Sequence, residues 1–346
     1  MNPNVVLPFL SSTLSLIFFV LLVDQWWERR RAYQAVWAIG MLWYAVSAGT
    51  EWVGGAFGWS EPLYRTWYLI GAVWVAGWLG LGTAYLLGRT RFGYAFAGSL
   101  FLAGLFTALT EQRYHYPDSG IAPVAYFVAA AILAVLIALD TYRGTGRWAS
   151  MAALAIGGGT LLSALMMVSA RLPAPGWMVD PTTHIPTGDL FPGYLRLLTP
   201  FFNITGAFSL SLGALYSTYV FMPKHRVIRY TLERGQSPAS FARNMAIGVV
   251  AVPVNFVASV PGALSALVAG RLNSRVPATI LIAIGGLIPA VTSGLNRFGD
   301  TSGFFVGEFL GVLFLFLGFL VSIEVFREIR IPFTHVVLRS RAVQEL

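Results

Sequence analysis

The last apolar stretch, Val276 to Phe326, constrains this chain more than any other. It reads VPATILIAIGGLIPAVTSGLNRFG, turns at Asp300-Thr301-Ser302-Gly303 and returns as GFFVGEFLGVLFLFLGFLVSIEVF. Each arm has about twenty mostly apolar residues, the length that crosses a hydrocarbon core ~30 Å thick. Backbone polar groups in hydrocarbon must be satisfied within their own segment, so such an arm has to be a helix. The return arm sets Gly303, Gly307 and Gly311 at four-residue intervals and Gly318 seven further on, all on one face. Small residues so spaced let a neighbouring helix come close, which is how helices associate where no water drives them together. Glu308, beside Gly307, is an ionisable group near the membrane edge.

The rest of the chain repeats this pattern. Apolar runs at 4–24, 34–56, 63–87, 93–110, 122–141, 149–170 and 195–222 precede the final pair at 277–296 and 304–326. With 56% hydrophobic and 11% charged residues in a chain of 346, no separate soluble domain fits. A formal charge of +8 does not point to nucleic acid, because the basic residues lie in short clusters between apolar runs. That is how Lys and Arg distribute when held on the cytoplasmic side of a membrane. Cysteine is absent, which excludes disulfides, thiolate ligands and a cysteine nucleophile. The N-terminal run has neither a basic segment before it nor a small-residue cleavage site after it, so it reads as a retained span. Arg29, Arg30 and Arg31 follow it, which predicts an external N-terminus.

Residues 246–269 (AIGVVAVPVNFVASVPGALSALVA) decide the topology. If they cross, there are ten spans and the basic residues divide almost evenly between the two sides. If they do not, there are nine spans and the C-terminus is cytoplasmic. All but five of the 23 Lys and Arg then fall inside, the exceptions being Arg65, Arg113, Arg171, Arg196 and Arg297. Pro253 and Pro261 interrupt the run and each removes a backbone donor, while Ser237-Pro238 and Ser259–Pro261 read as capped helix starts. The expectation is two short helices, 238–252 and 261–270, with a break between, either re-entrant or lying along the cytoplasmic face. The organisation that follows is an all-α membrane protein. It has a seven-helix bundle (1–222), a basic cytoplasmic segment with a broken helical hairpin (223–275), a transmembrane hairpin (276–326) and a cytoplasmic tail (327–346).

Several chemistries are excluded. The single lysine, Lys224, sits at a helix end, so no retinal Schiff base can form inside the bundle. His115, His184, His225 and His335 all lie in loops or tails, which argues against a buried bis-histidine haem. There is no HExxH pair and no Walker-type phosphate loop. Ser209 and Ser293 have no His or Lys placed to act as base. The outer loops hold Glu111, His115, Asp118, Asp180, His184 and Asp189, but in no metal-binding spacing. No cofactor is assigned.

Charge within a span is costly, and so marks function or pairing. Asp24, Asp140 and Glu324 sit beside arginines at helix ends and read as boundary residues. Glu51 is different: it shares one helical line with Trp37, Met41, Tyr44, Ala48 and Gly55, in the outer third of the second span. Arg297, across the final turn from Glu308, is placed to pair with Glu308 or Glu51. The group reads either as an interfacial ion pair or as the polar floor of an outward-facing pocket. A second line, on the third span, holds Trp67, Gly71, Trp74, Trp78, Leu81 and Tyr85, for helix packing or for a flat apolar ligand. The seventh span offers Asn203, Gly206, Ser209, Gly213, Tyr216 and Ser217, for close packing or a substrate path. The candidate ligand-binding residues are therefore Glu51, Arg297, Glu308, Asn203, Ser209, Tyr44, Trp74 and Trp78. The Pro- and Gly-rich loop 171–194 is expected to cap the bundle.

Trp78 to Leu87 (WLGLGTAYLL), Asn203 to Ser217 (NITGAFSLSLGALYS) and Gly307 to Leu320 (GEFLGVLFLFLGFL) resemble segments of an uncharacterised group of bacterial multi-pass membrane proteins. The resemblance implies a bacterial plasma-membrane location, makes 223–273 an insertion with both ends cytoplasmic, and implies no activity. Three function classes stay open. One is a binding or transport protein for a small or lipid-like molecule, another a sensor or scaffold subunit needing a protein partner. The third is an intramembrane enzyme acting on a lipid or isoprenoid, with Glu51 or Glu308 as general acid or base. Membrane lipids are the one partner common to all three.

Overall fold

A computed structural model describes residues 2–232, 236–297 and 303–322, together with two three-residue strands, Glu328–Arg330 and Val337–Arg339, paired antiparallel. The helices are α1 (Pro3–Arg29), α2 (Ala32–Phe57), α3 (Glu61–Leu86), α4 (Gly93–Tyr114), α5 (Ala122–Arg143), α6 (Trp148–Ser169), α7 (Thr199–Phe221), α8 (Pro238–Val268), α9 (Arg275–Arg297) and α10 (Phe304–Val321). Helix α3 carries a π-helical segment, Tyr68–Trp74, in its middle.

Most seams of the bundle are set by glycine. A Cβ on Gly206 of α7 would lie 2.0 Å from the Ala76 carbonyl oxygen of α3, so the two backbones touch there and no larger residue fits. The glycine face of α10 packs on α9 as its spacing predicts: Gly307 meets Thr292, Gly311 meets Pro289 and the Gly285 carbonyl, and Gly318 meets Ile282. Two apolar clusters fill the interior. One joins α3 to α7 through Trp67, Phe96, Trp148 and Phe202, and the other joins α1, α2, α3 and α10 through Phe18, Leu22, Trp37, Met41 and Phe319. Leucines and valines point outward elsewhere, as helices in contact with lipid require.

By length and hydropathy alone, nine helices among the described residues could cross a bilayer, with α8 among them and α2 not. Packing exchanges these two. The 26-residue α2 is buried at the centre, whereas α8 does not traverse the bundle. The Thr218 and Thr279 hydroxyls lie 2.8 Å apart, and Arg275 sits over the Phe221 ring at 4.5 Å. The end of α7 and the start of α9 therefore meet, and the insert between them begins and finishes at one end of the bundle. Helix α8 lies across that end. It starts with Phe241 against Tyr94 and Tyr142, and finishes with Ala263 against Met222 and Val276.

The two short helices expected within α8 are instead one helix of 31 residues. Its start is capped as predicted, since Ser237 accepts from the Ser240 N–H and Pro238 follows. Between the two prolines it is held by an extended strap, residues 223–232. Asn255 Oδ1 accepts from the Val227 and Ile228 N–H groups at 2.8 and 2.9 Å, and its amide donates to the Ile228 carbonyl at 2.8 Å. Ser259 Oγ accepts from the His225 N–H at 2.9 Å. Pro253 and Pro261 both lie on the exposed side of the helix. The cost of two interior prolines, about 3 kcal/mol each, is thus offset by anchorage to the strap rather than relieved by a break.

At the opposite end, loop 171–194 folds over the bundle as expected of a cap. Asn4 Nδ2 donates to the Thr183 carbonyl at 2.6 Å, Ile185 packs on Phe304 and Phe305, and Phe191 stacks on Tyr64 and Tyr68.

Candidate functional site

The predicted face of α2 is real: Trp37, Met41, Tyr44, Ala48 and Glu51 are all buried, with Gly55 emerging at the end. Glu51 is 1% exposed. Its Oε1 accepts from the indole N–H of Trp67 at 2.7 Å. Glu308 enters from the first turns of α10, and the two carboxyls lie within hydrogen-bonding reach of one another. Glu308 is half-buried as a residue, yet its Oε2, like Glu51 Oε2, is enclosed with no other group donating to it. Tyr44 ties the two helices together beneath the pair, its hydroxyl donating to the Glu308 backbone carbonyl at 2.7 Å.

Chemically this is a two-carboxyl centre. Two carboxyls can hydrogen-bond to one another only when one carries a proton, so an arrangement of this kind can hold a proton or a cation. Burial of Glu51 lowers the effective dielectric beside the pair and strengthens its electrostatic interactions. Arg297, the expected counter-ion, ends α9 with a side chain that falls outside the described residues. The neighbours that the structure gives Glu51 are Trp67 and the second acid.

The other candidates go elsewhere. Trp74 donates to Ser163 Oγ at 2.9 Å and Trp78 to Thr160 Oγ1 at 3.2 Å, so both reach α6. The π-helical segment separates them from Trp67: its wider turn breaks the single line that an α-helical period predicts, and Trp67 faces α2. Asn203 donates to the Ala72 carbonyl inside that segment at 2.9 Å, satisfying an acceptor the irregular turn leaves free. Ser209 is fully buried on α7 with its hydroxyl unpartnered. The structure therefore gathers Tyr44, Glu51 and Glu308, and leaves Trp74, Trp78, Asn203 and Ser209 as separate contacts at the α3–α6 and α3–α7 seams. Trp67 joins the site though periodicity placed it only on the aromatic line; a lone indole donor at the depth of a lone carboxylate was the signal available.

The loop acids are taken up locally. Asp189 pairs with Arg196 at 2.9 Å, Glu111 accepts from Ser119 at 2.8 Å, and Asp180 accepts from the Thr182 and Thr183 N–H groups at 2.9 and 2.7 Å. Among the described residues no three His, Asp or Glu side chains gather as metal ligands would.

No family model, no curated protein and no solved structure matches this chain, so the segments at 78–87, 203–217 and 307–320 find no counterpart that would fix a family. What the fold and composition establish is a multi-pass integral membrane protein in contact with lipid.

Proposed function

We propose that this chain binds or transports a small molecule across a bacterial plasma membrane, using the Glu51–Glu308 pair as a proton- or cation-exchanging centre. One observation carries the reading: two enclosed carboxyls face each other between α2 and α10, with an orphaned oxygen on each. Ionisable groups placed so are costly in a membrane and occur where ions or protons are handled. In this reading the capped end faces outward, and the end carrying Arg29–Arg31, Arg89, Arg91, Arg143 and Arg147 is cytoplasmic, following the distribution of positive charge. Residues 1–222 and 276–326 form the working bundle, with 223–275 as a cytoplasmic addition.

The test is the infrared band of protonated carboxyl groups in protein reconstituted into vesicles. The band should vanish in Glu51→Gln and Glu308→Gln, and in the native protein it should shift when the transported cation or molecule is added from a panel. A band that survives both substitutions ends the proposal.

A second reading, a sensor subunit that changes state on protonation, is favoured by the packing. Neither acid lines the cavity between the α3–α4 and α5–α6 turns at the basic end, nor the small apolar gap among Phe18, Trp37, Leu210 and Phe319. A band that responds to pH but to no member of the panel selects it.

A further inference from the structure

A cavity of about 690 Å³ opens at the basic end, across the bundle from the carboxyl pair. Its walls are two turns and the insert. The α3–α4 turn contributes Arg89, Arg91 and Tyr94, the α5–α6 turn contributes Tyr142 and Thr145, and Phe241 of α8 closes the outer side. Its volume is that of an ordinary ligand site.

Among the described residues the lining holds no acid. Asp140, at the base of the α5–α6 turn, is 6% exposed and has both oxygens occupied, one by the Thr145 hydroxyl and one by the Trp148 N–H at 2.8 Å. Arg89 and Arg91 are exposed, and among the described residues neither has a carboxylate within ion-pair distance. The described lining thus makes a positively charged concavity with aromatic sides, which suits a phosphate oxyanion.

What leads into it is apolar. From Tyr142 an apolar row runs along the wider exposed face of α5 through Leu139, Val135, Ile132 and Val128, at 40, 45, 57, 54 and 44% exposure. The spacing of three and four residues keeps the row on one helical face. A soluble anion has no use for such a row, whereas an acyl chain lies along it.

We infer that this cavity takes the headgroup of an anionic phospholipid, with Arg89 and Arg91 on the phosphate, Phe241 as outer wall and the acyl chain along the α5 row. Basic pockets among helices at the cytoplasmic side are where such headgroups are held. The insert 223–275 then acts as the clasp of a lipid site, since Phe241 and Leu232 are its contributions to the wall.

The test offers purified protein in neutral detergent equal amounts of phosphatidylglycerol and phosphatidylcholine and measures retained lipid by native mass spectrometry. The expected result is a preference of about tenfold for phosphatidylglycerol. Arg89→Gln/Arg91→Gln should abolish that preference, and Arg113→Gln at the other end should leave it intact. Phe241→Ala removes the wall without removing charge, and should lower retention even if the double variant fails to fold. Millimolar inorganic phosphate should not displace the lipid. Equal retention of the two lipids, a preference that persists in the double variant, full retention in Phe241→Ala, or displacement by phosphate alone would each overturn the assignment.

Discussion

Asp140 and the Glu51–Glu308 pair all keep carboxyl oxygens away from solvent, and the structure treats them in opposite ways. Asp140 staples a turn. Its oxygens accept from the Thr145 hydroxyl and the Trp148 N–H, its backbone carbonyl accepts from the Gly144 N–H, and Gly144 takes the left-handed conformation (φ 65°) that ends α5. Placed at the first turn of α6, the carboxylate also complements the helix dipole. Nothing on it is left over. The glutamates receive one indole N–H, on Glu51 Oε1, and leave one enclosed oxygen on each acid without a donor. A buried acid whose acceptors are all used by backbone and hydroxyl donors is part of the scaffold. One that is left short, next to another acid, is a place for a proton or an ion.

That contrast can be broken experimentally. Asp140→Ala should cost most, about 2–3 kcal/mol of stability in detergent, because a charged acceptor and a helix start are lost together. An unchanged melting temperature would show that the turn stands without it. Trp67→Phe comes next, at about 1 kcal/mol for one hydrogen bond, and should also move the carboxyl infrared band by withdrawing the donor from Glu51. A shift in stability with no change in the band would reduce Trp67 to packing. Glu308→Gln should change stability by less than about 1 kcal/mol, since a neutral amide replaces a group that shares a proton, while removing the band entirely. If it destabilises as much as Asp140→Ala, the two acids belong to the same class and the contrast fails.

The smallest effect is expected in the cap. The Thr183 N–H, with help from the Thr182 N–H and the Thr183 hydroxyl, holds the Asp180 carboxyl below the usual carboxylate range. A lowered value means the turn is supported at and above the ordinary carboxylate range, and the support is lost as pH falls through the lowered value. Amide exchange at Thr182 and Thr183, corrected for intrinsic rates, should therefore accelerate in acid. In Asp180→Asn that pH dependence should disappear; if it persists, another group controls the turn.

How far these sites could be read in advance depended on whether one helix or several determined them. The α2 face from Trp37 to Glu51 was legible because a regular helix projects every third or fourth residue to one side. The glycine seam of α10 was legible for the same reason. The aromatic line of α3 was not, because seven residues in π-helical register sit in its middle and propensity does not announce such a segment. The break expected in α8 was not found, because the strap bound to Asn255 and Ser259 is a tertiary partner that proline rules do not contain.

From composition and periodicity alone came the solvent this chain requires, the apolar runs long enough to cross it, the faces along regular helices and the few acids worth watching. These follow from local rules, since a backbone in hydrocarbon must satisfy itself and apolar length must match membrane thickness. Only the packed bundle decided that α8 lies across one end, that Glu51 meets Glu308 and that Arg89, Arg91 and Phe241 share a cavity. Each of these joins residues far apart in the chain, and such meetings depend on how helices approach one another, which no single segment encodes.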